Sequence, residues 1–256
     1  MELSSAEFFS LPESLDAAAG GHYRICLVVS GYGFLTPTAG AAPVLLCPGV
    51  SLLIRPGETP HLELLTEAKL LDFRFSGETA VLMRSNAPAF AEHNPLVVSS
   101  EALEQAVRLG EEIIGEQRAR NPGYALAVLE KILAAERLVF QQGRELSALE
   151  LKIAAALHFL AENYSRDITL EDLAGATGMS ISHFRRSFRR LTGSSPIDFL
   201  LDLRLRKAAA LLERPGQSVA AAAAATGFND ANYFSRIFTR RLGLTPREWR
   251  RRSGKN

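Results

Sequence analysis

Cysteine is scarce in this chain: two among 256 residues, Cys26 and Cys47, both inside apolar runs. Thiols so placed pack as small core side chains, which argues against a disulfide scaffold or a cysteine metal site. Histidine is thin as well, five in all, and no two stand as His-x-His. A metal-bearing barrel enzyme needs clustered His and carboxylate ligands. His22, His61 and His93 are widely separated, with Glu63 two residues after His61. No apolar stretch approaches the ~18 residues of a membrane helix. The opening Met1-Glu2-Leu3-Ser4 lacks a basic n-region and an apolar h-region, so no secretory signal is evident. A soluble, cytoplasmic protein with no membrane partner and no cofactor is expected.

Net charge is also nearly absent, +1 for the whole chain, but the balance is local. Residues 1–150 hold 11 Lys+Arg against 19 Asp+Glu, a net of −8. Residues 151–256 hold 18 against 9, a net of +9, and 15 of those 18 are arginine. Such asymmetry points to a polyanion-binding half joined to a half that is not one. The excess of arginine fits that reading better than a merely solvated surface, because the guanidinium fork suits phosphates and guanine edges.

Three regions follow from hydrophobic periodicity. From Gly21 to about Val98 short apolar runs alternate with turn signals: Tyr23, Ile25, Leu27 and Val29, then Val44–Cys47, Ser51–Ile54, His61–Leu65 and Leu70–Phe75, punctuated by Pro48-Gly49 and Pro56-Gly57. This pattern predicts a small sandwich or barrel over residues 1–98. Over 99–145 the period becomes helical. Leu103, Val107, Gly110 and Ile114 share one face, Asn121-Pro122-Gly123 breaks the chain, and Leu126, Leu129, Leu133 and Phe140 mark a second helix. This helical hairpin either packs on its own barrel or also supplies a dimer seam. From residue 150 to the end all is helix, expected near 150–163, 170–176, 181–191, 196–212, 218–225, 231–241 and 246–251. Thr169 to Asp172 and Thr245 to Glu248 have capping-box spacing. Ser195-Pro196 and Thr245-Pro246 place a cap before a first-turn proline. Gly193 and Gly243 fall where left-handed residues end helices.

This last region contains a repeat. Residues 184–196 and 234–246 are identical at six of thirteen positions, at a constant offset of 50, where chance gives roughly one. Ala174-Gly175-Ala176-Thr177-Gly178 answers Ala223-Ala224-Ala225-Thr226-Gly227 at an offset of 49, so the second copy has one extra residue in its turn. A repeated short apolar helix, glycine turn and arginine-bearing helix has the form of two helix-turn-helix units. The second helix of such a unit enters the major groove of double-stranded DNA.

Phe184 with Phe188, and Phe234 with Phe238, four apart, are expected to face the core. Ser182, Arg185, Arg186 and Arg189 then project outward on one reading helix, and Asn232, Ser235, Arg236 and Thr239 on the other. Arginine pairs bidentately with guanine and asparagine with adenine, each worth ~1–3 kcal/mol of discrimination. Further along each helix Arg189 and Arg190, and Thr239, Arg240 and Arg241, suit phosphates, which position without specifying sequence.

Gly227-Phe228-Asn229-Asp230-Ala231-Asn232-Tyr233-Phe234-Ser235-Arg236-Ile237-Phe238, followed by Gly243-Leu244-Thr245-Pro246, resembles the signature of the AraC/XylS family of bacterial transcription regulators. The resemblance covers roughly residues 153–252. It implies an α+β protein of two domains, with an all-α DNA-binding domain of two helix-turn-helix units over 150–256. It places the base-contacting positions on Ser182, Arg185, Arg186, Asn232, Ser235 and Arg236. The alanine run at 220–225 departs from the larger aliphatic and acidic residues usual in relatives. More loosely, Arg55-Pro56-Gly57, His61 and Leu70–Phe75 with Ser76-Gly77 resemble the family's cupin-like sensor barrel. That resemblance implies a small-molecule effector and a homodimer through the hairpin; His61 is a candidate effector contact because its neighbours alternate, and RNA polymerase is a partner that the helix-turn-helix resemblance implies. A repair enzyme acting by methyl transfer on this DNA-binding fold would need a reactive cysteine, and residues 99–256 hold none. The expectation is a sequence-specific transcription regulator, not an enzyme. The alternative is a ligand-independent regulator whose barrel only dimerises.

Overall fold

In the computed structural model the described residues are 2–11, 23–36, 43–54, 60–76, 96–97, 100–118 and 146–253. The chain divides into two units, Met1–Leu146 and Ser147–Asn256.

The first unit is built on strands. β1 (Glu2–Leu11), β2 (Tyr23–Ser30), β5 (Val50–Ile54), β7 (Ala68–Ser76) and β8 (Leu96–Val97) form a five-stranded sheet in the order β1-β7-β2-β5-β8. β3 (Gly33–Thr36), β4 (Val44–Leu46) and β6 (His61–Leu64) form a second sheet, in the order β4-β3-β6. One apolar cluster draws on both sheets: Val28, Val50, Ala68 and Leu70 from the larger, Leu35 and Leu46 from the smaller. Among the described residues the strands are two separate sheets, with no ladder closing them into a barrel. β1 precedes the region where the pattern of residues predicts strands. Its sequence does not alternate cleanly, and its register along β7 shifts between Leu3 and Ser5. The partner strand, and not its own pattern, defines it.

Alternation in the larger sheet puts Arg24, Cys26 and Val28 of β2 on one face with Leu70, Asp72 and Arg74 of β7, since Arg24 stands opposite Arg74 and Cys26 opposite Asp72. Asp72 is fully buried and accepts from Arg24 Nε at 3.1 Å, Arg74 Nε at 2.8 Å and the Cys26 thiol at 3.0 Å. Burial, reinforced by the neighbouring carboxylate, pushes the Cys26 thiol up, so it stays a neutral donor.

The expected hairpin is described only in its first helix, α1 (Ser100–Arg118). The Asn121-Pro122-Gly123 break and the second helix lie outside the described residues, as does Arg55-Pro56-Gly57. α1 packs on the sheet through Gly110, where a Cβ would stand 2.6 Å from Leu71 Cδ2.

The second unit is all helix: α2 (Ala148–Asn163), α3 (Leu170–Thr177), α4 (Ile181–Thr192), α5 (Pro196–Leu212), α6 (Val219–Ala225), α7 (Ala231–Leu242) and α8 (Pro246–Ser253). Local chemistry sets nearly every boundary. Thr169 Oγ1 accepts the Asp172 amide at 3.1 Å while the Asp172 carboxylate accepts the Thr169 amide at 2.9 Å. Thr245 and Glu248 make the same reciprocal pair at 3.2 and 2.9 Å. Gly193 and Gly243 end α4 and α7 at φ of 77° and 75°. A further box, Ser147 with Glu150, opens α2.

α2, α3 and α4 pack together, and so do α5, α6 and α7. The repeat therefore extends into tertiary structure. Met179 N–H donates to Ala174 O and Phe228 N–H to Ala223 O, each at 3.0 Å, closing the first helix of each copy in the same way. The buried Thr177 hydroxyl donates to Ala174 O at 2.9 Å, and the buried Thr226 hydroxyl lies 2.8 Å from Ala222 O and 3.1 Å from Ala223 O. Phe199 meets Phe188 edge-on at 5.5 Å, and Trp249, fifty residues later, meets Phe238 edge-on at 5.9 Å. The alanine run leaves only Ala222 and Ala223 buried. Ala222 stands where the first copy has Leu173, and the lost volume is compensated from the turn: Phe228 lies 5.0 Å from Phe234, where the first copy has Met179.

α5 serves both copies. Phe199 packs on Phe188, whereas Leu205, Ala208, Ala209 and Leu212 belong to the second core. Arg204, midway, donates from Nε to Tyr164 O at 2.7 Å and from Nη2 to Arg166 O at 2.6 Å, holding the chain that leaves α2. Gly227 closes the same junction: at φ +82°, its Cβ would lie 2.7 Å from Ser165 O. Its counterpart Gly178, at φ +61°, has nothing within 4 Å. Gly178→Ala is expected to cost about 1 kcal/mol for the left-handed backbone alone. Gly227→Ala is expected to cost more than about 2 kcal/mol, because the Ser165 backbone must also move. Thermal melts of the two variants check the difference, and equal losses would remove the close approach as its cause.

The caps also make an acid prediction. The Thr169 amide and hydroxyl hold the Asp172 carboxyl below the usual range, and the Thr245 hydroxyl and amide do so for Glu248. A depressed folded pKa gives stability that is complete above the unfolded values of about 4 and is lost as pH falls through the lower folded ones. The melting temperature of the second unit is expected to be flat from about pH 7 to 5 and to fall below about pH 4. Thr169→Ala with Thr245→Ala should flatten that fall, as followed by circular dichroism at 222 nm (~190–250 nm scans).

Candidate nucleic-acid interface

The face of each arginine-bearing helix is set from behind. Phe184 and Phe188 are fully buried, their rings 5.5 Å apart, and Phe234 and Phe238 repeat this at 5.4 Å. With these inward, Ser182, Arg185, Arg186, Arg189 and Arg190 are all exposed on α4. On α7, Asn232, Arg236, Arg240 and Arg241 are exposed, and Ser235 and Thr239 are half-buried. Each expected DNA contact thus lies on an outward or half-outward face, and none is in a core.

The two faces differ in chemistry. On α7 the Ser235 hydroxyl donates to Ala231 O at 2.9 Å and the Thr239 hydroxyl to Ser235 O at 2.8 Å. Their protons are used within the helix, so toward a base edge each offers an acceptor only. Arg241 is engaged too. Its Nη2 lies 2.9 Å from Asp198 Oδ1 and its Nη1 3.7 Å from Asp202 Oδ1, both on α5. The Ser195 hydroxyl, bonded to the other Asp198 oxygen at 2.6 Å, is the main reason that carboxyl is held low, and Arg241 adds to it. α4 carries four exposed arginines in two adjacent pairs.

Three residues absent from the expected contacts stand on these faces. Ile181 and Tyr233 are exposed apolar residues at the starts of α4 and α7, and His183 is exposed at the position equivalent to Tyr233. Helical spacing places Tyr233 over Arg236, and that i,i+3 relation was the available signal. Arg204, which ties the two copies together, has no local signature: its partners are backbone carbonyls about forty residues away.

In the first unit His61 is exposed at the start of β6. Its neighbours Leu62 and Leu64 pack on the apolar cluster, so His61 and Glu63 lie on the other face of the strand. Among the described residues no group of three or more His, Cys, Asp or Glu is placed to hold a metal ion. No described helix is long and apolar enough to cross a membrane.

A family model described as a helix-turn-helix domain matches residues 173–252, from within α3 to within α8. The MmsAB operon regulatory protein of Pseudomonas aeruginosa is 36% identical over 94 residues, 37% of this chain and 31% of that protein. The HTH-type transcriptional activator RhaR of Klebsiella pneumoniae is 33% identical over 144 residues, 53% of this chain and 50% of RhaR. Over these residues the chain is similar to the AraC/XylS family of helix-turn-helix transcription regulators. It spans half or less of the length of these two curated relatives. Among solved structures, a probable AraC family transcriptional regulator from Rhodopseudomonas palustris aligns at 30% identity over 40% of this chain and 97% of that one, with a TM-score of 0.38.

Within the second unit the Arg241 pair is expected to act as a strut. Both partners are partly exposed, so Arg241→Ala should cost under about 1 kcal/mol, and less at high salt. Arg240→Ala, on the same turn without those carboxylates, should leave the melting temperature within about 1 °C of wild type. Parallel melts at low and high salt check both, and equal effects would remove the ion pair as the cause.

Proposed function

We propose that this chain is a sequence-specific DNA-binding transcription regulator of the AraC/XylS family in which α3–α4 and α6–α7 are two helix-turn-helix units. α4 and α7 enter successive major-groove faces of double-stranded DNA. The observation that carries the reading is the matched outward placement of Arg186 and Arg236, fifty residues apart, each in front of a buried phenylalanine pair. α5, with 17 residues, is about 25 Å long, a workable separator for faces ~34 Å apart. Ser182, Arg185, Arg186, Asn232, Ser235 and Arg236 read base edges. Arg189, Arg190, Thr239 and Arg240 approach phosphates, and Arg241 joins them only by giving up its carboxylate partners.

The sheets of the first unit are read as a cupin-like sensor for a small-molecule effector, with α1 contributing to a homodimer seam. RNA polymerase is the further partner implied. His61 is a rim contact for the effector, because it stands on the face of β6 turned from the apolar cluster. An effector changes DNA affinity only through unequal affinity for two arrangements of the chain.

Fluorescence anisotropy on duplexes from upstream of the chain's own and neighbouring genes, across a salt series, tests the DNA reading. Wild type is expected to prefer one fragment, with a steep salt slope. Arg186→Ala and Arg236→Ala should each weaken that fragment roughly 5- to 150-fold relative to the others. Uniform loss on every fragment, with the slope reduced by about 1, would reassign these arginines to phosphates. No binding by folded protein at low salt, with and without cell extract as a source of effector, would overturn the reading.

A further inference from the structure

Tyr233 is 42% exposed, yet it is a large aromatic residue at the start of the second reading helix. It is not needed to fill the core, which Phe228, Phe234 and Phe238 already occupy. Its position is nevertheless well defined. Asp230 Oδ1 accepts its amide at 3.1 Å, which fixes the first turn of α7. Its ring lies 6.3 Å from that of the buried Phe228, inclined at 42°. The Arg236 Cζ stands 5.8 Å from its centroid, within cation–π range. The chain thus runs from a buried phenylalanine, through an anchored tyrosine, to an exposed guanidinium.

We infer that Tyr233 is the positioning residue for Arg236 and sharpens its recognition of guanine. This rests on the reading of α7 as a base-contacting helix. A free arginine side chain has several rotamers, and bidentate pairing with guanine O6 and N7 demands one plane and one direction. A ring anchored on one side by Phe228 limits where the guanidinium can lie before DNA arrives, which lowers the ordering cost of binding. The consequence is local. Ser235 and Thr239 have committed their protons to the helix and Arg241 is paired with Asp198 and Asp202. Discrimination by this face therefore falls mainly to Asn232 and Arg236, and Tyr233 serves the second.

The test uses the full chain and a duplex selected by it from a randomised pool, together with versions in which each G·C pair in turn becomes A·T. Tyr233→Leu keeps an apolar side chain but removes the π face, and Tyr233→Phe keeps the face but removes the hydroxyl. The leucine variant is expected to reduce discrimination at one G·C position by roughly 2- to 5-fold, and the phenylalanine variant to retain it. In an Arg236→Ala background, Tyr233→Leu should cause no further change at that position. If it does cause one, Tyr233 acts on DNA directly or through the fold, and the inference fails. If Arg236→Ala loses discrimination and Tyr233→Leu does not, the inference fails while base reading by Arg236 stands. If Arg236→Ala keeps full discrimination, or no duplex is preferred, the DNA reading itself fails. Circular dichroism confirms folding, and Tyr233→Met replaces the leucine variant if that one does not fold.

Discussion

Phe184 with Phe188, and Phe234 with Phe238, must be buried for the helical unit to have cores at all, and that requirement fixes the rotation of α4 and α7 about their axes. A phenylalanine lost from such a site costs about 3–5 kcal/mol, far more than any exposed arginine contributes to stability. The hydrophobic term therefore decides where the guanidinium groups point, and electrostatics works with the result. A turn of either helix by one residue would bury Arg185 or Ser235 and expose a ring. The same rings also receive the edge-on contacts of Phe199 and Trp249, so the helices following each reading helix are placed by the same four side chains.

The next constraint is the angle between the two copies. Two separately folded heads on a flexible tether would each meet DNA in many orientations, and the ordering cost would fall on binding. Here Arg204 grips Tyr164 O and Arg166 O, Gly227 permits close approach to Ser165, and Arg241 reaches back to Asp198 and Asp202. All three act across α5 or beside it. Arg204 is the strongest of them, since it satisfies two carbonyls at the end of α2 with a half-buried cation, whereas the Arg241 pair is screened by solvent.

Much of this was legible in the residues because helix boundaries are written locally. Thr169-Asp172, Ser195-Pro196, Thr245-Glu248, Gly193 and Gly243 carry their meaning within four residues, and the helices lie within two residues of where these signals put them. The one-residue insertion in the second turn is also real: one residue separates Gly178 from its cap Ser180, and two separate Gly227 from Asp230. What was not legible depends on partners distant in sequence. β1 is a strand because β7 lies beside it, Arg204 bonds to carbonyls with no side-chain identity, and Asp72 joins Arg24, Arg74 and Cys26 only once β2 and β7 pair. Arg241 was legible as a basic residue on a reading helix, but not as one already holding two carboxylates.

The two heads are copies in backbone and not in chemistry. Between Arg185 and Arg190, α4 presents four exposed arginines, a dense cationic strip whose attraction to a phosphate backbone is long-ranged and indifferent to sequence. α7 places Ser235 and Thr239 where α4 has Arg185 and Arg189, and turns both hydroxyls onto its own carbonyls. Arg236, nearer the start of α7, has its Cζ 5.8 Å from the Tyr233 ring centroid. Of the two helices, α4 thus has the denser row of exposed guanidinium groups, while on α7 Arg236 lies near Tyr233 and Arg241 is paired with Asp198 and Asp202. A duplicated fold held at one angle by α5 can divide the work on that basis. On the proposed reading, α4 would offer a phosphate backbone the denser row of guanidinium groups of the two helices. On the same reading, α7 would contribute directional pairing through Arg236, placed beside the Tyr233 ring.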